Sequence, residues 1–320
     1  MIKIGIIGAE SKNAGELLRL LINHSEVDIV TLYAPMLAGR SVAGIHHGFI
    51  GEQIVNFSEK FFPEDLDIVF VAESDDRYKE LLQNLNNYPE IRIIDLTGNN
   101  TEAIGNNLLN LGLSEINRKN LVRTSTKAYI PTPDLILPLI AMTPLSHYML
   151  LNSPLSITLS VPASLIKEGM VDTANSKFLS QAFTVAQPSF NSPVNLIFEE
   201  NKEEERVISM HTIIDCTLSI EEIERIYEGI YDDHNFTFVV HSPVSHKEVE
   251  GTQKSIISLN KPSPSTLEIF AVADARMRGG AGDALHVMNL LKGLYEKTGL
   301  QLKSSAFSNP EIAPSSSWFA

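Results

Sequence analysis

A single cysteine, Cys216, stands in the 320 residues. One thiol excludes an intrachain disulfide and a cysteine-cluster metal site, and it fits a reducing compartment. Basic charge is also scarce, with 25 Lys and Arg against 39 Asp and Glu and a formal net charge of −14. Such a surface repels phosphate backbones, and no basic patch interrupts it, so no nucleic-acid partner is expected. Long apolar runs are missing as well. No stretch reaches the roughly 18 residues of a membrane span, and no basic region precedes the short N-terminal hydrophobic stretch, so neither a span nor a secretion signal is expected and the location is read as cytoplasmic.

What is present is the composition of an ordinary globular chain, 43% hydrophobic and 20% charged, long enough for two domains at roughly 150 residues each. In the first half, residues 2–7, 27–33, 66–72 and 91–96 read as buried strands, apolar through both faces. Helices lie between them. The first carries Leu17, Leu18, Leu20, Leu21 and Ile22 on one side, and Asn13 with Glu16 has the spacing of an N-cap and capping box. Strands alternating with helices imply right-handed parallel βαβ units. From about residue 153 strands run together at 155–161, 193–198, 207–217, 236–241, 255–259 and 267–272, with one clear helix at 220–231. The acidic stretch 199–205 reads as a solvated hairpin turn. Helical spacing returns at 282–298 and stops at Gly299. The fold class is therefore α/β: a doubly wound Rossmann-type domain over 1–150 and 276–308, plus an α+β mixed-sheet second domain over 151–275. Residues 309–320, rich in Ser and Pro, read as a flexible tail.

Gly5-Ile6-Ile7-Gly8 at the end of the first strand sits where a dinucleotide fold puts its phosphate turn. Together with Ala9 and the run Ala14-Gly15-Glu16-Leu17-Leu18-Arg19-Leu20-Leu21, it resembles the opening of N-acetyl-gamma-glutamyl-phosphate reductases. Asp95-Leu96-Thr97-Gly98, the segment from Gly112 to Arg118 and the segment from Gly279 to Asn289 are similar to further landmarks of that family, in the same order, and the resemblance runs from about 1 to 307. It extends more distantly to the aspartate-semialdehyde dehydrogenases.

The resemblance implies NADP as cofactor, held at Gly5, Gly8, Ala9, Gly279 and Gly282, and reduction of an acyl phosphate to an aldehyde through a thioester on a cysteine, with a histidine as acid and base. It also implies a homo-oligomer paired through the second-domain sheet. The family nucleophile lies in a segment close to Asn-Pro-Gly-Cys-Tyr-Pro-Thr, at the start of a helix leading to a Pro-Leu pair. Counting back from Pro138-Leu139 puts Lys127 at that position; anchoring on Pro131-Thr132 puts Tyr129 there. Neither replaces a thiolate, which attacks the acyl phosphate and later leaves. The family histidine falls within 183–190 and its glycine-rich substrate loop within 161–166, where the chain offers neither histidine nor glycine. Cys216, on an alternating strand, reads as a packing residue.

The turn itself carries Glu10, Ser11 and Lys12. A carboxylate ~5 Å from a pyrophosphate charge costs roughly 3 kcal/mol at an effective dielectric near 20, so Glu10 is expected to weaken NADP, and Glu73, Asp75 and Asp76 after the third strand add negative charge. Arg40 is a lone loop cation. His46-His47, His241 and His246 lack the third ligand of a metal site, and His286 reads as a packing residue. Three functions remain open: a binding, regulatory or structural partner without the thioester chemistry, paired for example with an active homologous reductase; different chemistry using Lys127; and an active NADP-dependent semialdehyde dehydrogenase-type oxidoreductase.

Overall fold

The computed structural model describes residues 1–98, 108–151, 154–172 and 175–307, and the expected tail at 309–320 lies outside them. The chain divides into two compact units, one of Met1–Ile136 with Arg276–Gln301, the other of Leu137–Ala275 with the described residues 302–307.

In the first unit, β1 (Ile2–Ile7), β2 (Val27–Tyr33), β3 (Phe57–Ser58), β4 (Ile68–Val71), β5 (Arg92–Asp95) and β6 (Lys127–Tyr129) form one sheet in the order β3-β2-β1-β4-β5-β6. Every pairing is parallel. Ile4, Ile6 and Ile7 of β1 and all four side chains of β4 are buried, as a sheet covered on both faces requires. The helices α1 (Lys12–Leu21), α2 (Lys79–Asn84) and α3 (Ser114–Arg123) connect these strands. The cap of α1 differs from the expected Asn13–Glu16 box: Ser11 is the N-cap, its Oγ accepting from Ala14 N at 3.2 Å. Glu16 pairs instead with Arg19 one turn on.

The next helix, α4 (Pro133–His147), crosses the boundary between the units, so the division falls at 136 rather than at 150. Pro144 has no N–H, which leaves the Ile140 carbonyl four residues earlier without its helical donor. The Tyr231 hydroxyl donates to that oxygen, and the Tyr227 hydroxyl donates to Ala141 O at 2.6 Å. Both tyrosines belong to the second unit, so α4 from residue 137 onward is fixed there.

The second unit holds β7 (Leu155–Pro162), α5 (Ala163–Lys167), α6 (Asn175–Ala186), β8 (Val194–Asn201), β9 (Val207–Asp215), α7 (Ile220–Tyr231), β10 (Thr237–Val240), β11 (Ser255–Ser263) and β12 (Thr266–Asp274). Its six strands run in the order β10-β11-β12-β9-β7-β8, mixed in direction. The expected hairpin at 199–205 is absent: β8 continues to Asn201, and β7 lies between β8 and β9, so the acidic link passes from one side of β7 to the other. α7 carries a complete capping box from Ser219 and Glu222.

The chain then returns to the first unit as α8 (Ala281–Leu291), packed on α1, α3 and β5. It stops seven residues before the expected end at 298. Gly293 takes φ +65, and Asn289 turns its side-chain amide onto the carbonyls of Glu296 and Thr298.

Candidate functional site

The order β3-β2-β1-β4-β5-β6 reverses direction between β1 and β4, and in open parallel sheets ligands bind outside the carboxyl ends of the strands at that point. Two turns meet there, 8–11 after β1 and 72–78 after β4.

Gly8 is left-handed at φ +72, and a Cβ on it would fall 2.3 Å from Glu73 Cβ and 2.8 Å from Glu73 N, so the two turns touch through the missing side chain. The amides of Gly8 and Ala9 both donate to Tyr33 O, at 3.1 and 3.2 Å. The Ala9 carbonyl accepts from His46 Nε2 at 2.9 Å, and the His46 ring rests on Gly15, where a Cβ would meet Nδ1 at 2.8 Å. Phe49 and Phe57 hold that ring edge-on. Gly5 lies inside β1, where a Cβ would press on Leu66 at 2.6 Å; its role is to admit Leu66, Phe61 and Thr31, so it belongs to the core under the turn.

Glu10 does not face the crevice as a bare charge. Its Oε1 accepts from the Tyr78 hydroxyl at 2.6 Å and from Arg77 Nη1 at 3.0 Å. Arg77 in turn donates Nε and Nη2 to Asp75 and lies over the Tyr78 ring at 5.1 Å. The guanidinium holds the Asp75 carboxyl below the usual carboxylate range. Tyr78 is completely buried among Ile7, Val69, Val71 and Leu85, and burial, with Glu10 beside it, pushes its phenol well up. Glu10, Arg77 and Tyr78 thus form a strap from one turn to the other, which joins Glu10 to a cation and a phenol 67 and 68 residues away. The sequence signal was Arg77 beside Asp75 and Asp76, yet only the fold aims it at Glu10.

A dinucleotide tests this arrangement directly. The backbone suits it, with a left-handed Gly8 and a helix capped by Ser11 directly behind the turn. The side chains do not suit a pyrophosphate: two turn amides are committed to Tyr33, and the strap from Glu10 to Arg77 crosses between the two turns. Arg40, on the loop after β2, is exposed.

The second region of interest is the start of α4. Lys127 and Tyr129 are not on this helix. Both lie on β6, paired with Ile93 and Asp95, and the Lys127 amine donates to Asn86 Oδ1 at 2.6 Å in an exposed position. The Tyr129 phenol is pushed up by burial and by Asp95. The helix begins at Pro133, after Ile130-Pro131-Thr132. Two left-handed glycines close on it: a Cβ on Gly98 would lie 2.4 Å from Thr132 Cγ2, and one on Gly279 would lie 2.6 Å from Pro133 N. The turn that carries Gly279 is pinned by a buried ion triad. Arg278 reaches Glu115 at 2.8 Å and Asp283 at 3.2 Å, while Gly279 N donates to Asp283 Oδ2 at 2.7 Å. Gly282 is in the first turn of α8, also buried.

In the second unit, residues 161–166 end β7 and begin α5. Within 183–190, Phe183 and Phe190 meet edge to face, and Gln187 brackets the backbone of Leu151 with both ends of its amide. Cys216 is buried, 6% exposed, with its carbonyl accepting from Lys261 Nζ. His241 pairs with Glu224, His246 with Glu204 and His286 with Glu296, while His46 and His47 meet the carbonyls of Ala9 and Ala43. Among the described residues no group of three or more His, Cys, Asp or Glu could hold a metal ion, and no helix is long and apolar enough to cross a membrane.

Comparison with known proteins adds the following. The profile described as semialdehyde dehydrogenase, NAD binding domain, matches residues 3–124. An N-acetyl-gamma-glutamyl-phosphate reductase of Parabacteroides distasonis is 31% identical over 96% of this chain and 100% of its own length. One of Bacteroides fragilis is 30% identical with the same coverage. Among solved structures, aspartate semialdehyde dehydrogenase II of Vibrio cholerae superposes with a TM-score of 0.70 at 14% identity, over 92% of this chain and 99% of that one. Aspartate semialdehyde dehydrogenase with NADP from Candida albicans gives 0.66 at 12% identity, over 91% and 98%. At these identities the solved structures establish the fold.

Proposed function

Because the chain belongs to the N-acetyl-gamma-glutamyl-phosphate reductase family, we propose that it keeps the family scaffold without the thioester chemistry and serves as a binding, regulatory or structural partner, for example of an active homologous reductase. The observation that carries this reading is the residue at the start of α4. The family segment Asn-Pro-Gly-Cys, laid on the observed helix start, falls on Ile130-Pro131-Thr132-Pro133, with proline on proline at 131 and with Pro144-Leu145 as the later Pro-Leu pair. This superposition supports Pro133 as the nucleophile position, in place of the Lys127 or Tyr129 of the sequence count. A pyrrolidine ring at the first helical position suits the helix and offers nothing that attacks an acyl phosphate or leaves from a thioester.

The remaining candidates support the same reading. Cys216 is enclosed in the second unit. Lys127, the basis for different chemistry, gives its amine to Asn86 Oδ1 on the edge strand β6. The cofactor by family resemblance is NADP, and the strapped crevice favours weak binding. The second-unit sheet supports a homo-oligomer: Ile197, Thr158, His211 and Phe270 follow one another across β8, β7, β9 and β12 on one face, and Ile197, Ile213 and Phe238 stand exposed there.

The test is a coupled assay of NADPH oxidation on an N-acyl-glutamyl phosphate. No phosphate-dependent turnover is expected. Turnover at an ordinary enzymatic rate that survives Cys216→Ser would overturn the proposal.

A further inference from the structure

We propose that the outer edge of β8 is a self-association site, at which β8 pairs antiparallel with β8 of a second copy about a two-fold axis through Ile197, so that the two second-unit sheets join into one. The inference deepens the homo-oligomer reading of that sheet and adds a contact separate from its open face.

Three observations carry it. The first is what this edge lacks. The two sheets end in β3 and β6, and in β10 and β8. β3 has two residues, β6 three and β10 four, whereas β8 has eight and pairs with β7 from Val194 to Asn201 without a register shift. Short length, proline, lysine and bulges are devices by which an edge strand avoids other chains. β8 has none of them, and among the described residues no strand pairs with its outer side. The second is the apolar run Leu196-Ile197-Phe198 at its centre, with Ile197 47% exposed and its two neighbours partly buried. Pairing there covers apolar surface together with the unpaired backbone groups.

The third observation is that one register matches charge as well as polarity. Antiparallel pairing about Ile197 sets Leu196 against Phe198 of the second copy, Val194 against Glu200, and Asn195 against Glu199, where the Asn195 amide can donate to the carboxylate. Each Glu199 is then four residues, about 13 Å, along the strands from its own copy, past the Debye length of about 8 Å at physiological salt. Pairing about Phe198 would instead oppose Glu199 to Ile197 and Glu200 to Leu196, and pairing about either glutamate would oppose like charges. A contact of this two-fold kind is isologous and closes at two copies.

Three single-cysteine proteins test the register, each built on Cys216→Ser: Ile197→Cys, Asn195→Cys and Glu199→Cys. All three positions are exposed, and thermal melts confirm that each variant is folded. Opposed Cα atoms of antiparallel strands lie about 4.5–5.5 Å apart, within the reach of a disulfide. With oxidised glutathione as oxidant, Ile197→Cys is expected to give roughly tenfold more covalent dimer on a non-reducing gel than Asn195→Cys or Glu199→Cys alone. Those two, mixed under reducing conditions before oxidation, are expected to join to each other. No dimer from Ile197→Cys, as much dimer from Asn195→Cys alone, or a mixture that stays unjoined overturns the edge pairing; a wild type above protomer mass in light scattering then leaves the open face as the contact. A wild type of protomer mass at every concentration overturns the homo-oligomer reading as well.

Discussion

Arg278→Met is the most demanding test of how the first unit is held together. Arg278, Glu115 and Asp283 expose 0%, 1% and 3% of their side chains, and the guanidinium lies between two carboxylates, one from α3 and one from α8. Burial pushes the Asp283 carboxyl above the usual carboxylate range against the pull of Arg278. Met preserves much of the apolar stem and removes the charge, leaving two buried carboxylates without their cation. Removal of one partner from a buried ion pair costs about 3–5 kcal/mol, a large part of the ~5–15 kcal/mol by which a domain is stable. The pH dependence has a fixed sign. With the cation gone, the native Asp283 carboxyl is raised further, so the native state holds a proton that the unfolded chain, titrating near 3.8, has already released. The cost is therefore largest at pH 7.5 and shrinks as pH falls, by up to about 1.4 kcal/mol per pH unit for one proton. Urea unfolding at pH 7.5 and 5.5 measures it. The triple variant Glu115→Gln, Arg278→Met, Asp283→Asn, which removes all three charges, is expected to be more stable than Arg278→Met alone. A cost below about 1 kcal/mol, or one that grows toward pH 5.5, would refute the buried, ionised triad.

Gly15→Ala changes sign with its neighbour. In the wild type a Cβ would lie 2.8 Å from His46 Nδ1, and overpacking costs about 1–3 kcal/mol; in a His46→Ala background the same substitution stabilises by up to about 1 kcal/mol, because only helix propensity remains. Thermal melts of the four proteins decide it, and destabilisation in both backgrounds would show that the ring is not the obstacle. Ile213→Asp, on the open face of the second-unit sheet where Ile213 is 53% exposed, is expected to lower the oligomeric state seen by light scattering, with the melting profile of the protomer kept; an unchanged mass would remove that face as the interface.

The residues that make the family resemblance legible turn out to be those that hold the first unit together. In the segment from Gly112 to Arg118, Glu115 meets Arg278, Asn117 caps the carbonyls of Leu109 and Leu111, and Arg118 pairs with Glu296. Gly279 is required at φ +77 against the Thr132–Pro133 peptide.

Local chemistry determined what could be read without coordinates. The limits of β1 and β2 follow from continuous apolar runs ending at turn residues, α7 was expected at the limits it takes, 220–231, and the βα alternation sets the parallel sheet. Two strands, β3 and β6, escaped because two and three residues carry no period, and they exist only because β2 and β5 offer an edge to pair with. The register at the family nucleophile was ambiguous for a related reason: counting back from Pro138-Leu139 gave Lys127 and anchoring on Pro131-Thr132 gave Tyr129, and the sequence did not show that the helix begins at Pro133. The charge at the crevice was beyond sequence altogether. Glu10 reads as a repelling carboxylate until folding brings Arg77 and Tyr78 to it, since a charge is set by its nearest partners in space, and these are 67 and 68 residues distant along the chain.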